Sequence, residues 1–75
     1  MDLMEKLKTH VSGILNVSED DLVKISYGEG SWDSLAHMNI ITMLEEVFEI
    51  ELEEDEMIEI TSLNAIFNVL NRKID

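Results

Sequence analysis

Apolar residues recur at helical spacing in three long stretches of the chain, each with a polar opposite side. In the first stretch, Asp2 followed by Glu5 resembles a helix-capping pair, and Asn16 is a typical stop residue. The apolar positions of this stretch are Leu3, Leu7, Val11, Ile14 and Leu15. The pattern predicts an amphipathic helix between Asp2 and Asn16.

The second stretch predicts a helix from about Ser34 to Phe48, with Asp33 as an N-cap whose charge suits the helix dipole. At about 100° per residue, Leu35 and Met38 fall on the polar side of this helix, so we expect two exposed apolar residues near its start. The predicted core side holds Ile40, Ile41, Leu44, Val47 and Phe48, and the polar side holds Asn39, Thr42, Glu45, Glu46 and Glu49.

The third stretch predicts a last helix capped by Thr61 or Ser62. Its core stripe is Leu63, Ile66, Phe67, Leu70 and Ile74, with Asn64, Asn68 and Asn71 outside. Between the second and last helices, Ile50 and Leu52 are expected to anchor a solvated connection. A short third helix is predicted over residues 55–60.

A long loop, residues 17–32, joins the first two main helices. Ser18 to Asp21 fits a capping box that starts one short turn ending near Val23, and glycine and serine residues follow. We expect Ile25, Tyr27 and Trp32 to fasten this loop to the core. Long loops in small domains are uncommon and often functional.

Together these elements predict a single all-α domain over residues 1–75, a four-helix bundle of three main helices and one short helix, without strands. A chain of 75 residues is short for a domain. Its core is thin, because a domain of this size hides only about 60% of the surface of its unfolded chain. A deep catalytic cavity is therefore not expected.

Charge narrows the range of partners. The formal net charge is −12, from 17 acidic and five basic residues, which argues against binding to nucleic acid or anionic membranes. Basic proteins would be attracted instead. No apolar run approaches the ~20 residues of a membrane span, and the start of the chain lacks a signal-peptide core. These features predict a cytoplasmic protein.

Composition also excludes several kinds of site. The chain has no cysteine, which excludes disulfides, thiolate zinc sites and cysteine nucleophiles. The carboxylate-rich segment 51–57 lacks the glycine and the alternation of a calcium-binding loop. No metal site is expected.

Ser34 is the candidate for chemistry, because it follows a long loop and opens a helix whose N-terminus suits a phosphate group. Three interpretations remain open: a helix-cap residue, a site of modification, or a hydrolytic nucleophile with Asp33 and His37. The last has poor geometry, because neighbours on one helical face rarely align as a relay, and no G-x-S-x-G motif surrounds Ser34. His37 is expected to be an exposed helix residue, and His10 a boundary residue.

The sequence Asp33-Ser34-Leu35 opens an acidic helix in the middle of an acidic domain, and the pattern continues through residues 44–70. Here the chain resembles the acyl carrier proteins, over nearly its whole length. The resemblance implies that Ser34, flanked by Asp33 and Leu35 of the motif, bears a 4′-phosphopantetheine arm. The thiol of that arm would hold an acyl group as a thioester, so the chain itself would not be an enzyme.

The resemblance also implies partners. A phosphopantetheinyl transferase would attach the arm, and acyl-loading, synthase or transferase enzymes would present basic patches to the second helix of a monomeric carrier. The implied docking face consists of Leu35, Met38, Thr42, Glu45, Glu46 and Glu49.

Several residues depart from the common fatty-acid carriers, which often have acidic residues soon after the serine and a small residue two positions before it. This chain has Trp32 before the motif and Ala36, His37 and Asn39 after it. We therefore expect a specialised pathway, such as polyketide, fatty-acid-like or surface-saccharide synthesis.

Two alternatives remain open: an aminoacyl or peptidyl carrier of a nonribosomal-peptide-type system, and an acidic interaction domain that carries no arm. The strong acidity favours acyl cargo. A sequestered chain would need space near Ile41, Phe48, Ile60 and Phe67.

Overall fold

The described part of the computed structural model, residues 2–74, contains five helices and no strand. They are α1 (Leu3–Leu15), α2 (Glu19–Leu22), α3 (Ser34–Val47), α4 (Glu54–Glu59) and α5 (Leu63–Lys73). This confirms the predicted all-α bundle, in which α2 is the short turn expected in the loop. Residues 1 and 75, the ends of the predicted domain, lie outside the described part. Within that part no helix is long and apolar enough to cross a membrane.

The helix ends lie close to their predicted positions, because short-range caps set them. Asp2 accepts a hydrogen bond from Glu5 N at 2.8 Å, Ser18 from Asp21 N at 3.1 Å and Ser62 from Ala65 N at 3.1 Å. Each bond satisfies one of the amide groups that the first turn of a helix leaves without a partner. Ser62, rather than Thr61, is thus the cap of α5.

One hydrophobic cluster joins the helices. Helix α1 packs against α2, α3 and α5, and α4 packs against α5. Phe48, just past the end of α3, is half-buried. Its ring forms an edge-to-face pair with the ring of His10, with centroids 6.4 Å apart, and the Lys6 ammonium lies over it, 5.2 Å from the ring centroid. The predicted core residues of α1 and α3 are buried or half-buried, and Ala36 and Met43 join them.

The predicted stripe of α5 is wrong at one position. Ile74 is exposed, whereas Val69 is buried. Helix α5 ends at Lys73, so Ile74 lies past its last turn. Val69 stands three residues after Ile66, on the same face.

The loop between α2 and α3 is fastened partly as predicted. Trp32 is fully buried, and Ile25 packs on the core. Tyr27 is 42% exposed, so its side chain does not enter the core; its backbone N–H instead donates to the carbonyl of Thr61 at 2.8 Å. Ser31 Oγ donates to the carbonyl of Leu15 at 2.6 Å, which holds the loop against the end of α1.

Candidate functional site

Ser34 is the first residue of α3, and its side chain is exposed. Asp33 caps the helix through a 2.9 Å hydrogen bond that Oδ1 accepts from Ala36 N. The predicted cap is therefore Asp33, which leaves the hydroxyl of Ser34 free of that role. This hydroxyl stands at the positive end of a 14-residue helix, an environment that favours an anionic group.

Tyr27 is the nearest described partner of that hydroxyl. Its phenolic oxygen lies 3.1 Å from Ser34 Oγ, within hydrogen-bond distance. Sequence reasoning missed this contact, because it assigned the Tyr27 ring to the core. The signal that could have found it is the glycine-rich segment between Tyr27 and Trp32, which allows the chain to turn back.

His37 is half-buried rather than exposed, which corrects the sequence-based expectation. The indole N–H of Trp32 donates to His37 Nδ1 at 3.1 Å, and His37 Nε2 lies 2.9 Å from the carbonyl oxygen of Met57. An indole nitrogen can only donate, so Nδ1 is the acceptor and Nε2 carries the proton. His37 therefore joins the loop and α3 to α4.

The same contacts argue against the interpretation of Ser34 as a hydrolytic nucleophile. Both ring nitrogens of His37 bond to groups other than Ser34. The Asp33 oxygen Oδ1 bonds to the Ala36 amide of the helix start. A nucleophile–base–orienter relay requires the base to reach the serine hydroxyl, and these three side chains are not arranged as one.

The predicted docking face is mostly exposed. Leu35 and Met38 are 72% and 59% exposed, as the helical pattern predicted. Thr42, Glu46 and Glu49 are also exposed. Glu45 is half-buried, and its Oε2 accepts a 3.0 Å hydrogen bond from Leu52 N, so its carboxylate helps to hold the α3–α4 connection. Whether these six residues bind a partner stays a prediction.

An apolar groove of about 380 Å³ is lined in part by Tyr27, the residue that contacts Ser34. It is lined by Tyr27, His37, Met38, Ile41, Met57, Ile58 and Thr61. Of the four residues expected near a cargo space, Ile41 lines this groove, while Ile60 is fully buried in the core. The groove thus runs between the loop, α3 and α4, and Tyr27 connects it to Ser34.

The described residues hold no group of three or more His, Asp or Glu placed to bind a metal ion.

A family model described as a phosphopantetheine attachment site matches residues 5–70. No curated protein matches the chain significantly.

Proposed function

Because the chain belongs to the family of phosphopantetheine attachment domains, whose cofactor is 4′-phosphopantetheine bound covalently to a serine, we propose that Ser34 is the attachment residue. The observation that carries this proposal is the exposed hydroxyl of Ser34 at the N-terminus of α3, next to Tyr27. These residues fit the group, since the helix end and the Tyr27 hydroxyl both suit a phosphodiester.

Loading of the arm is a phosphoryl transfer. Ser34 Oγ attacks the phosphorus of coenzyme A that bears the pantetheine, and an Oγ–P bond forms. The bond from that phosphorus to adenosine 3′,5′-bisphosphate breaks. The proton of the serine hydroxyl goes to a base of a phosphopantetheinyl transferase.

The arm, once bound, supplies a thiol that holds cargo as a thioester. We propose that the cargo is an acyl group, because the groove that Tyr27 lines next to its contact with Ser34 consists mainly of apolar side chains such as Ile41, Met57 and Ile58. Burying a methylene group there is favourable by about 0.8 kcal/mol, a gain that a small polar aminoacyl group does not offer. The unusual Trp32 and His37 beside the motif favour a specialised pathway, such as polyketide, fatty-acid-like or surface-saccharide synthesis.

Partner enzymes are expected to dock on α3. Leu35 and Met38 offer an exposed apolar contact next to the arm, and Glu46 and Glu49 offer negative charge near the other end of α3. A partner with a basic patch around an apolar pocket would complement both. Charge of opposite sign raises the rate of encounter, and desolvated apolar contacts add affinity.

The test is the intact mass of the chain after incubation with coenzyme A and a broad-specificity phosphopantetheinyl transferase. We expect a single addition, which is absent in Ser34→Ala and retained in Ser26→Ala. Ser26 is the matched control, because it is an exposed serine of the same loop. Addition to Ser34→Ala would refute the assignment, and no addition to the folded wild-type chain would favour an acidic interaction domain without an arm.

The loaded chain then tests the cargo. Octanoyl and alanyl thioesters are formed on it, and their cleavage by hydroxylamine is compared with that of the same thioesters on free pantetheine. Acyl cargo predicts that the protein slows cleavage of the octanoyl thioester more than that of the alanyl one. Stronger protection of the alanyl thioester would support an aminoacyl carrier.

A further inference from the structure

Tyr27 and Ser34 are seven residues apart, and the loop between them folds back so that their hydroxyls meet. Gly28 and Gly30 have φ values of +94° and +54°, in a region that residues with a Cβ rarely adopt. The amide of Gly28 donates to the carbonyl of Trp32 at 2.8 Å, and the amide of Trp32 donates to the carbonyl of Glu29 at 3.0 Å. This turn places Tyr27 next to Ser34 at the start of α3.

The aromatic ring of Tyr27 is also held in place, although it is partly exposed. It packs on the ring of His37 with centroids 4.7 Å apart and planes at 56°. His37 is itself fixed by Trp32 and by the carbonyl of Met57. The backbone of Tyr27 is bonded to Thr61. Contacts with the loop, with α3 and with the α4–α5 connection therefore fix the position of Tyr27, and with it the position of its hydroxyl.

Attachment of a phosphate changes what the two hydroxyls can do. Free Ser34 can donate or accept in its contact with Tyr27. Once Oγ is esterified it has no hydrogen, so only Tyr27 can donate. Its acceptor is then an anionic phosphodiester, and hydrogen bonds to charged groups are roughly twice as strong as those between neutral groups. The interaction strengthens as the reaction proceeds, which is the condition for accelerating it.

We propose that Tyr27 is a positioning residue for the loading of Ser34, and that its hydroxyl afterwards donates to the phosphodiester. This inference rests on the proposed function of Ser34. Before transfer, the hydrogen bond restricts Oγ to one orientation at the helix start. After transfer, it restrains the first atoms of the arm beside the groove that Tyr27 also lines.

The test compares the wild-type chain with Tyr27→Phe, which keeps the ring against His37 and removes only the hydroxyl. We expect kcat for loading to fall about 3- to 10-fold, the loss typical of one hydrogen bond, with KM for the carrier unchanged. The ³¹P resonance of the loaded phosphodiester should shift, and the melting temperature should stay the same. Thr9→Val, which removes an exposed hydroxyl from α1, is the control and should change none of these.

Two results would overturn the inference. One is a Tyr27→Phe chain that loads at the wild-type rate with an unshifted ³¹P resonance. The other is a rise in KM with kcat unchanged, which would make Tyr27 a contact for the transferase rather than a positioning group. The wild-type reaction separates the two proposals: if Ser34 of the wild-type chain accepts no arm, the proposed function fails and this inference fails with it.

Discussion

Among residues 2–74, two non-glycine residues have left-handed backbone conformations, and both stand just past the end of a main helix. Asn16, with φ of 57°, follows α1, and Glu49, with φ of 55°, comes two residues after the end of α3. Asparagine tolerates this conformation, whereas most residues with a Cβ are destabilised there by about 1–2 kcal/mol. At position 49, therefore, a residue with a Cβ destabilises the backbone conformation that the fold requires.

Glycine at position 49 should stabilise the protein. We expect Glu49→Gly to raise the free energy of unfolding by about 0.5–1 kcal/mol, because relief of the left-handed strain exceeds the added entropy of the unfolded chain. Urea denaturation measures this change. The control is Glu46→Gly, which removes the same charge from inside α3 and should lower stability by about 1 kcal/mol. Changes of the same sign in both variants would contradict the role of φ.

At the residue scale, local chemistry was predictable and contacts through the loop were not. The caps Asp2, Ser18 and Asp33 follow from residue type and spacing within three positions. The bond between His37 and Met57 joins residues 20 positions apart, and no periodic pattern encodes it. The contact of Tyr27 with Ser34 depends in the same way on the path of the loop. The sequence therefore indicated Ser34 as the candidate residue but gave no sign that Tyr27 contacts it.

Helices α4 and α5 are joined by ion pairs at the end of α5. Arg72 donates two hydrogen bonds to Glu59, at 3.1 and 2.9 Å, and the Lys73 ammonium lies 2.6 Å from Glu56. The hydrogen bond from Arg72 lowers the pKa of Glu59, and that from Lys73 lowers the pKa of Glu56. A short helix such as α4 is marginal by itself, so these pairs help to hold it on α5.

The stability contributed by these pairs should depend on pH. Glutamates with a lowered pKa stabilise the fold above the unfolded value of 4.5, and this contribution is lost as the pH falls through the folded pKa. We expect Arg72→Gln to lower the urea midpoint at about pH 7 more than Lys24→Gln does. The difference should shrink as the pH falls below 4.5 and through the lowered pKa values of the folded glutamates.

Lys24→Gln is the matched control, because it makes the same change in charge at an exposed loop residue outside the ion pairs found among residues 2–74. A deficit of Arg72→Gln that does not shrink as the pH falls below 4.5 would show that packing of the arginine, and not its pairing, stabilises the contact. The pairs themselves could not be predicted from the sequence, since they require the position of α4 relative to α5.

At the scale of the whole molecule, repulsion among acidic groups dominates the electrostatics. The formal net charge is −12, and two of the five basic residues, Arg72 and Lys73, already pair with α4. Such a charge keeps a protein dispersed but destabilises its compact state. It also suits recognition by basic partners, so one feature of the sequence both lowers stability and favours the proposed docking.

Added salt should therefore stabilise the protein at neutral pH. At about 0.15 M NaCl, charges separated by more than about 8 Å are screened, and screened repulsion outweighs the few screened ion pairs. We expect the melting temperature to rise with NaCl at about pH 7 and not to rise near pH 4.2, the sequence pI, where repulsion and attraction balance. Equal increases at both pH values would show that the ions act on hydration rather than on charge. A rise confined to neutral pH would instead show that repulsion among the acidic side chains lowers the stability of the fold.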